Sequence, residues 1–221
     1  MLVFGQSNAA NSGGQRHASA YGDKAVNFFR GKCFIASSPL LGTGGVAGES
    51  WTLLANKLIS AGFADRVVLI PAAVGSTRIS RWQADGDLNR LLLSTIDEAN
   101  RLYRITHIFW HQGESDFSAK TPKDEYLRMF MSLADSIRQR GVAAPIFPSV
   151  ATKCGLDPAW TPDNPVAAAQ NTLHSRERRI FSGVNTDAIL QPADRYDDCH
   201  FSGTGQEKFA GAMAEILLTS N

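Results

Sequence analysis

A serine directly behind an apolar run, and a carboxylate and imidazole near the far end of the chain, are the residues whose spacing has chemistry in it. Gly5-Gln6-Ser7-Asn8 follows Leu2-Val3-Phe4, and Asp197-x-x-His200 precedes the last helix-like stretch. A serine hydroxyl is a poor nucleophile until an adjacent base takes its proton, and that base works best when a third group holds its ring. Asp197 and His200 lie within one turn of each other, which suits the second role. The arrangement is one that hydrolyses esters. Taken alone, Ser7 reads more readily as a simple helix cap.

Those residues need a scaffold that brings the two ends of the chain together. Short β-like runs alternate with longer helical patterns, which implies an α/β fold: a three-layer α/β/α sandwich with a mostly parallel central sheet, flavodoxin-like in type. Leu2-Val3-Phe4, Val67 to Ile70, Ile105 to Trp110 and Ile146 to Val150 read as buried strands, with weaker candidates at Cys33 to Ile35 and Asp187 to Leu190. Helical spacing runs from Trp51 to Gly62 behind a Ser50 cap, and from about Asp87 to Tyr103. It recurs from Tyr126 to near Gly141, from Val166 to Arg179, and from Thr204 onward. The Gly- and Ser-rich stretch 11–48 reads as long surface loops, and 152–165 as irregular. In an open parallel sheet the carboxyl ends of the strands share one edge, where ligands bind. Ser7, Gly75 and the loop Gln112–Ser115 each follow a different strand, so topology alone would gather them there.

Composition sets the outer limits. At 221 residues with 43% hydrophobic and 19% charged residues, the chain fits one domain spanning 1–221 with a substantial core. The net charge of +1 comes from scattered basic residues, and the one dense stretch, Arg176-Glu177-Arg178-Arg179, is read as a helix end. Nucleic acid is therefore not an expected partner. No apolar run approaches the roughly 18 to 20 residues of a membrane span. No secretory leader pattern opens the chain, but it begins almost inside its first strand, so the compartment and the oligomeric state are left open.

Cys33, Cys154 and Cys199 form an odd count without metal-type spacing, which argues against a zinc site or a dense disulfide framework. Cys199 adjoins His200 and is a nucleophile candidate on that ground. A structural or bystander role is preferred for Cys199, a single bridge such as Cys154 to Cys199 is an alternative, and the state of the three cysteines is left open. His107, His111 and Glu114 sit on a strand and its exit, an unsuitable spacing for a metal. Gly42-x-Gly44-Gly45-x-x-Gly48 lacks a good preceding strand and reads as a flexible loop, not a dinucleotide site.

Four blocks occur in order along the chain. They are Gly5 to Asn8, then Ala73-Val74-Gly75-Ser76-Thr77-Arg78-Ile79-Ser80-Arg81-Trp82, then Trp110-His111-Gln112-Gly113-Glu114-Ser115-Asp116, and finally Asp197 to His200. This order resembles the SGNH (GDSL-like) hydrolase superfamily, specifically its carbohydrate-esterase branch of sialate O-acetylesterases and acetylxylan esterases. The resemblance implies a serine esterase acting on an O-acetylated carbohydrate such as sialic acid, xylan or a bacterial polysaccharide, with no cofactor and no metal.

It further implies Ser7 as nucleophile, His200 as base and Asp197 as the group holding His200. Oxyanion donors would be the N–H groups of Ser7 and Gly75, and a third from the 112–115 block. The broader superfamily carries an asparagine at the position held here by Ser115, and Gln112 is the better amide donor by chemistry. Glu114 is left between orienting His200, binding sugar hydroxyls and tying its own loop. Trp160 is read as a core residue, Trp82 is left between core and sugar stacking, and Arg78 is read as a free surface cation in preference to a partner for a substrate carboxylate. An O-acyltransferase would need the same groups, and a non-catalytic carbohydrate-binding module on this scaffold is the reading from another class.

Overall fold

The computed structural model describes residues 1–155 and 163–219. Its sheet has the order β3-β2-β4-β1-β5-β6. The strands are β1 Leu2–Gly5, β2 Ala25–Phe29, β3 Lys32–Ile35, β4 Val67–Ala73, β5 Ile108–His111 and β6 Ile146–Pro148. Neighbours pair in parallel except β2 with β3. Side-chain alternation along the strands divides the core into two layers. Leu2, Phe4, Ile70, Ala72, Ile108, Trp110 and Ile146 pack with α2 (Asp87–Asn100), α4 (Lys123–Gln139) and α5 (Pro165–Asn171). Val3, Leu69, Ala73, Phe109 and Phe147 pack with α1 (Trp51–Ser60) and α7 (Gly203–Thr219). Strands covered on both faces must be apolar throughout, which is why these runs stand out in the sequence. The architecture is the three-layer α/β/α sandwich.

The segment 11–48 holds more regular structure than loops. Ala25–Phe29 is a strand, joined to Lys32–Ile35 through Arg30 and Gly31, both at positive φ, as a tight hairpin requires. The strand read at Cys33 to Ile35 is β3, exposed at every residue, and β2 beside it is the element that the reading of this stretch as loops does not anticipate. Helix α1 is capped by Glu49, whose Oε2 accepts the Trp51 and Thr52 N–H groups at 2.6 and 2.9 Å, and not by the Ser50 side chain.

Helix α5 stops at Asn171, not Arg179. Ser175 and Ile180 instead close a small bridge with Arg179 at positive φ, so the basic stretch lies in a turn rather than at a helix end. The weak strand expected at 187–190 is the short helix α6 (Thr186–Ile189), with Asn185 Oδ1 accepting the Ala188 N–H at 3.0 Å.

Register now sets the rim. Gly5 pairs with Ala73 on one side and His111 on the other, so β1, β4 and β5 end level. Gly5 has φ +135°, and a Cβ there would lie 2.0 Å from the His111 carbonyl oxygen. Only glycine lets the chain pass that close to β5 before it turns outward into Ser7.

Candidate active site

Ser7 opens a single 3-10 turn, Ser7–Ala9, held by N–H bonds from Ala9 and Ala10 to the Gln6 carbonyl at 2.9 and 3.0 Å. Beside it stands the exposed Gly75, where an added Cβ would lie 3.7 Å from Ser7 Cβ. Among the described residues no acceptor takes the Gly75 N–H. Across a cleft of about 440 Å³ stands His200, and the lining also includes Gln6, Ser76, Arg78, Glu114 and Ser115. Clefts of similar size elsewhere, such as the 500 Å³ one lined by Phe28, Leu91 and Arg101, hold no serine–histidine pair.

Asp197 binds His200 twice. Its Oδ2 lies 2.7 Å from His200 Nδ1, and its Oδ1 accepts the His200 backbone N–H at 2.7 Å and that of Cys199 at 3.2 Å. Partial burial raises the Asp197 carboxyl, but the His200 ring and these N–H groups outweigh it and hold the carboxyl below the usual carboxylate range. Nδ1 thus carries the proton toward Asp197, leaving Nε2 as the basic nitrogen. The Ser7 hydroxyl and Nε2 have no hydrogen-bond partner among the described residues, so the two line one cleft without being bonded to each other. Such contacts commonly close only around substrate.

Asn8 ties the nucleophile turn to both flanking loops. Its Nδ2 donates to Glu114 Oε1 at 3.0 Å and to the Cys199 carbonyl at 3.3 Å, and its Oδ1 accepts the Phe201 N–H at 3.2 Å. Arg195 donates to the same Cys199 carbonyl and lies over the Phe201 ring at 5.3 Å. Its charge acts on Glu114, Asp187, Asp194 and Asp197 together. Neither role was legible in sequence. Asn8 had a signal in its place beside Ser7, whereas Arg195 had none, since its bond to the Cys199 carbonyl and its place over Phe201 arise only in the folded turn.

Several expected roles change. Gln112 is fully buried, and its Nε2 donates to Asp116 Oδ2 at 2.6 Å, to the Thr77 carbonyl at 3.0 Å and to Gln6 Oε1 at 3.3 Å. An amide with its protons so committed is not free to face an oxyanion. Trp82 is sealed in the core against Phe4 and Trp110, with Nε1 donating to Thr77 Oγ1 at 3.0 Å, so it does not stack on a sugar. Trp160 lies outside the described residues.

Arg78 is exposed at the cleft, and Ser115 lines it with a hydroxyl that makes no bond among the described residues. Cys199 is no nucleophile, because it is joined to Cys154. Cys33 is free and exposed.

Glu114 does not reach His200. It is buried at the start of the short helix α3 (Glu114–Ser118), with Oε1 on Asn8 and Oε2 unpartnered. Burial pushes its carboxyl up to about 7, against the smaller opposing pull of the Asn8 bond. His111, whose Nδ1 lies 4.0 Å away, is pushed down to about 3 by burial and then by the Arg195 charge, so it stays neutral and the contact is no ion pair. His107 lies elsewhere, stacked with Phe109 and Phe147.

The family model described as carbohydrate esterase, sialic acid-specific acetylesterase matches residues 1–219. The chain belongs to that family. As a carbohydrate esterase of this family it is a carboxylic ester hydrolase, built on the SGNH-type fold. Among solved structures, a protein of Arabidopsis thaliana is 19% identical with a TM-score of 0.80, over 99% of this chain and 97% of its own. NanS is 16% identical with a TM-score of 0.67, over 98% and 95%. An acetylxylan esterase from Geobacillus stearothermophilus is 13% identical with a TM-score of 0.60, over 98% and 92%. No curated protein matches the chain. At such identities the neighbours speak for the fold of this carbohydrate esterase and no further. No helix among the described residues is long and apolar enough to cross a membrane.

Proposed function

We propose that this carbohydrate esterase removes O-acetyl groups from a sugar by two-step acyl transfer through Ser7. The observation that carries the reading is the 2.7 Å bond between Asp197 and His200 Nδ1, on a ring that shares one cleft with Ser7. That bond leaves Nε2 to take the Ser7 proton as Oγ adds to the ester carbonyl. Collapse of the tetrahedral species breaks the bond to the sugar oxygen, which takes the proton back from Nε2. Water, deprotonated at the same nitrogen, then releases acetate and restores Ser7.

The unspent Gly75 N–H and the Ser7 N–H, at the head of its turn, would stabilise the oxyanion. The family description makes O-acetylated sialic acid the first substrate to try, ahead of xylan and bacterial polysaccharides. Ser7→Ala should lower acetate release from such a panel by about a millionfold while the chain still folds. Undiminished release by that variant would end the proposal.

A further inference from the structure

The commitment of Gln112 leaves the third oxyanion donor unassigned, and the hydrogen bonds of Gln6 point to a replacement. Gln6 precedes Ser7, and its Oε1 accepts the Ser115 N–H at 3.2 Å, Gln112 Nε2 at 3.3 Å and the Gly113 N–H at 3.4 Å. Two of these donors are backbone N–H groups, which have no acceptor form, so the oxygen of the Gln6 amide must face them. The nitrogen then faces the other way. Gln6 lines the cleft, and its Nε2 is neither bonded among the described residues nor sealed from solvent.

We propose that Gln6 Nε2 is the third donor to the oxyanion formed on Ser7, an inference that rests on the acyl-enzyme reading. The rival on the same rim is the Ser115 hydroxyl. A hydroxyl without a partner turns freely and must be ordered during the reaction, whereas the Gln6 amide is already held from its oxygen side. Preorganisation of that kind is what makes an oxyanion donor effective. One side chain would then do two jobs: its oxygen latches the 113–115 turn, and its nitrogen receives charge from the substrate carbonyl.

The two jobs separate by mutation. Gln6→Glu keeps an oxygen for the three latch bonds and deletes the donor, while Gln6→Met deletes both without adding charge. Steady-state hydrolysis of an aryl acetate, thermal melting, and the rate of Ser7 labelling by a fluorophosphonate would be read for each, with Ser115→Ala beside them. Labelling passes through a phosphorus centre whose developing negative oxygen needs the same donors. The expected result is a fall in kcat of about a hundredfold in both Gln6 variants, with KM within about twofold and labelling slowed in parallel. Gln6→Glu, which places a carboxyl at a buried position, should melt lower than the parent but still as a folded protein at the assay temperature, and Ser115→Ala should keep its kcat.

A Gln6→Met kcat equal to that of the parent overturns the proposal. So does a loss confined to Gln6→Met while Gln6→Glu is fully active, which would mean that only the latch matters. Loss of turnover with labelling unchanged, or a hundredfold loss in Ser115→Ala instead, also overturns it. Ser7→Ala reads the underlying assignment separately. Turnover persisting in Ser7→Ala removes the nucleophile and this proposal together, whereas a dead Ser7→Ala beside fully active Gln6 variants removes this proposal alone.

Discussion

Glu114 offers a test of the site's electrostatics that does not depend on substrate. Its carboxyl rises from an ordinary 4.5 to about 7, chiefly through burial. Between those values the native state holds a proton that the unfolded chain has released. Its contribution to stability is therefore fully present below about pH 4.5 and lost as pH rises through about 7. A rise of that size corresponds to roughly 3 kcal/mol, since each pH unit of difference is worth about 1.4 kcal/mol. His111 acts in the opposite sense: held neutral down to about pH 3, it makes stability rise with pH as the unfolded imidazole loses its proton near 6.5.

Glu114→Gln removes the first effect and leaves the second, so the comparison of interest is the difference between the two proteins. Asn8 Nδ2 keeps an amide oxygen to donate to, and the new NH2 falls where Oε2 now has no partner, giving a constant offset of about 1–3 kcal/mol. Urea unfolding across about pH 4.5 to 8 should show the variant gaining roughly 3 kcal/mol on the parent as pH rises. A difference that stays flat across that range would refute the claim that burial governs this carboxyl.

Two further outcomes follow from the His200 loop. Cys154 and Cys199 close a loop of 45 residues, so replacing both by serine should cost up to about 4 kcal/mol in urea unfolding and lower kcat by loosening the turn that carries His200. Loss of stability with kcat fully kept would show that the bridge does not position the ring. Asp197→Asn should lower kcat by roughly 10³- to 10⁴-fold, with a smaller effect on KM, because an amide NH2 favours the wrong imidazole tautomer. A loss below about tenfold would show that Asp197 does not hold the base.

The strands that position the site were legible because burial on both faces leaves unbroken apolar runs such as Val67–Ile70, and strand ends are where chemistry-bearing loops emerge. Of the hairpin, β3 is legible as the short run Cys33–Ile35, whereas β2 is hidden, because Asn27 interrupts its apolar run inside a Gly- and Ser-rich stretch. The stop of α5 at Asn171 was missed because the apolar residues Leu173 and Ile180, though buried, serve a turn and bridge instead of a helix face. Within the site, residue types and loop membership could be read, but the direction of an amide could not. Gln112 looks the better donor on chemistry alone. Its Nε2 is taken by a carbonyl 35 residues away and a carboxylate four residues away, and no local pattern reports either.

The commitment of Gln112 also shows why the blocks contain more polar residues than the chemistry consumes. Asp116 takes the Ile79 N–H at 2.7 Å and Gln112 Nε2 on one oxygen, and Thr121 Oγ1 on the other, binding the loop after β4 to the loop after β5. Asn8 binds the turn after β1 to Glu114 and to the chain flanking His200. Gln6 binds that same turn to the 113–115 backbone. Loops at a strand rim have no ladder of their own, and each would drift by more than the few tenths of an ångström an oxyanion site tolerates. Buried side-chain bonds between loops supply the missing rigidity, and a buried donor left unpaired costs about 1–3 kcal/mol, so each latch strongly disfavours opening. The polar residues around Ser7 are thus explained mainly as the frame of the site, and only those with an uncommitted proton or lone pair facing the cleft remain available to the substrate.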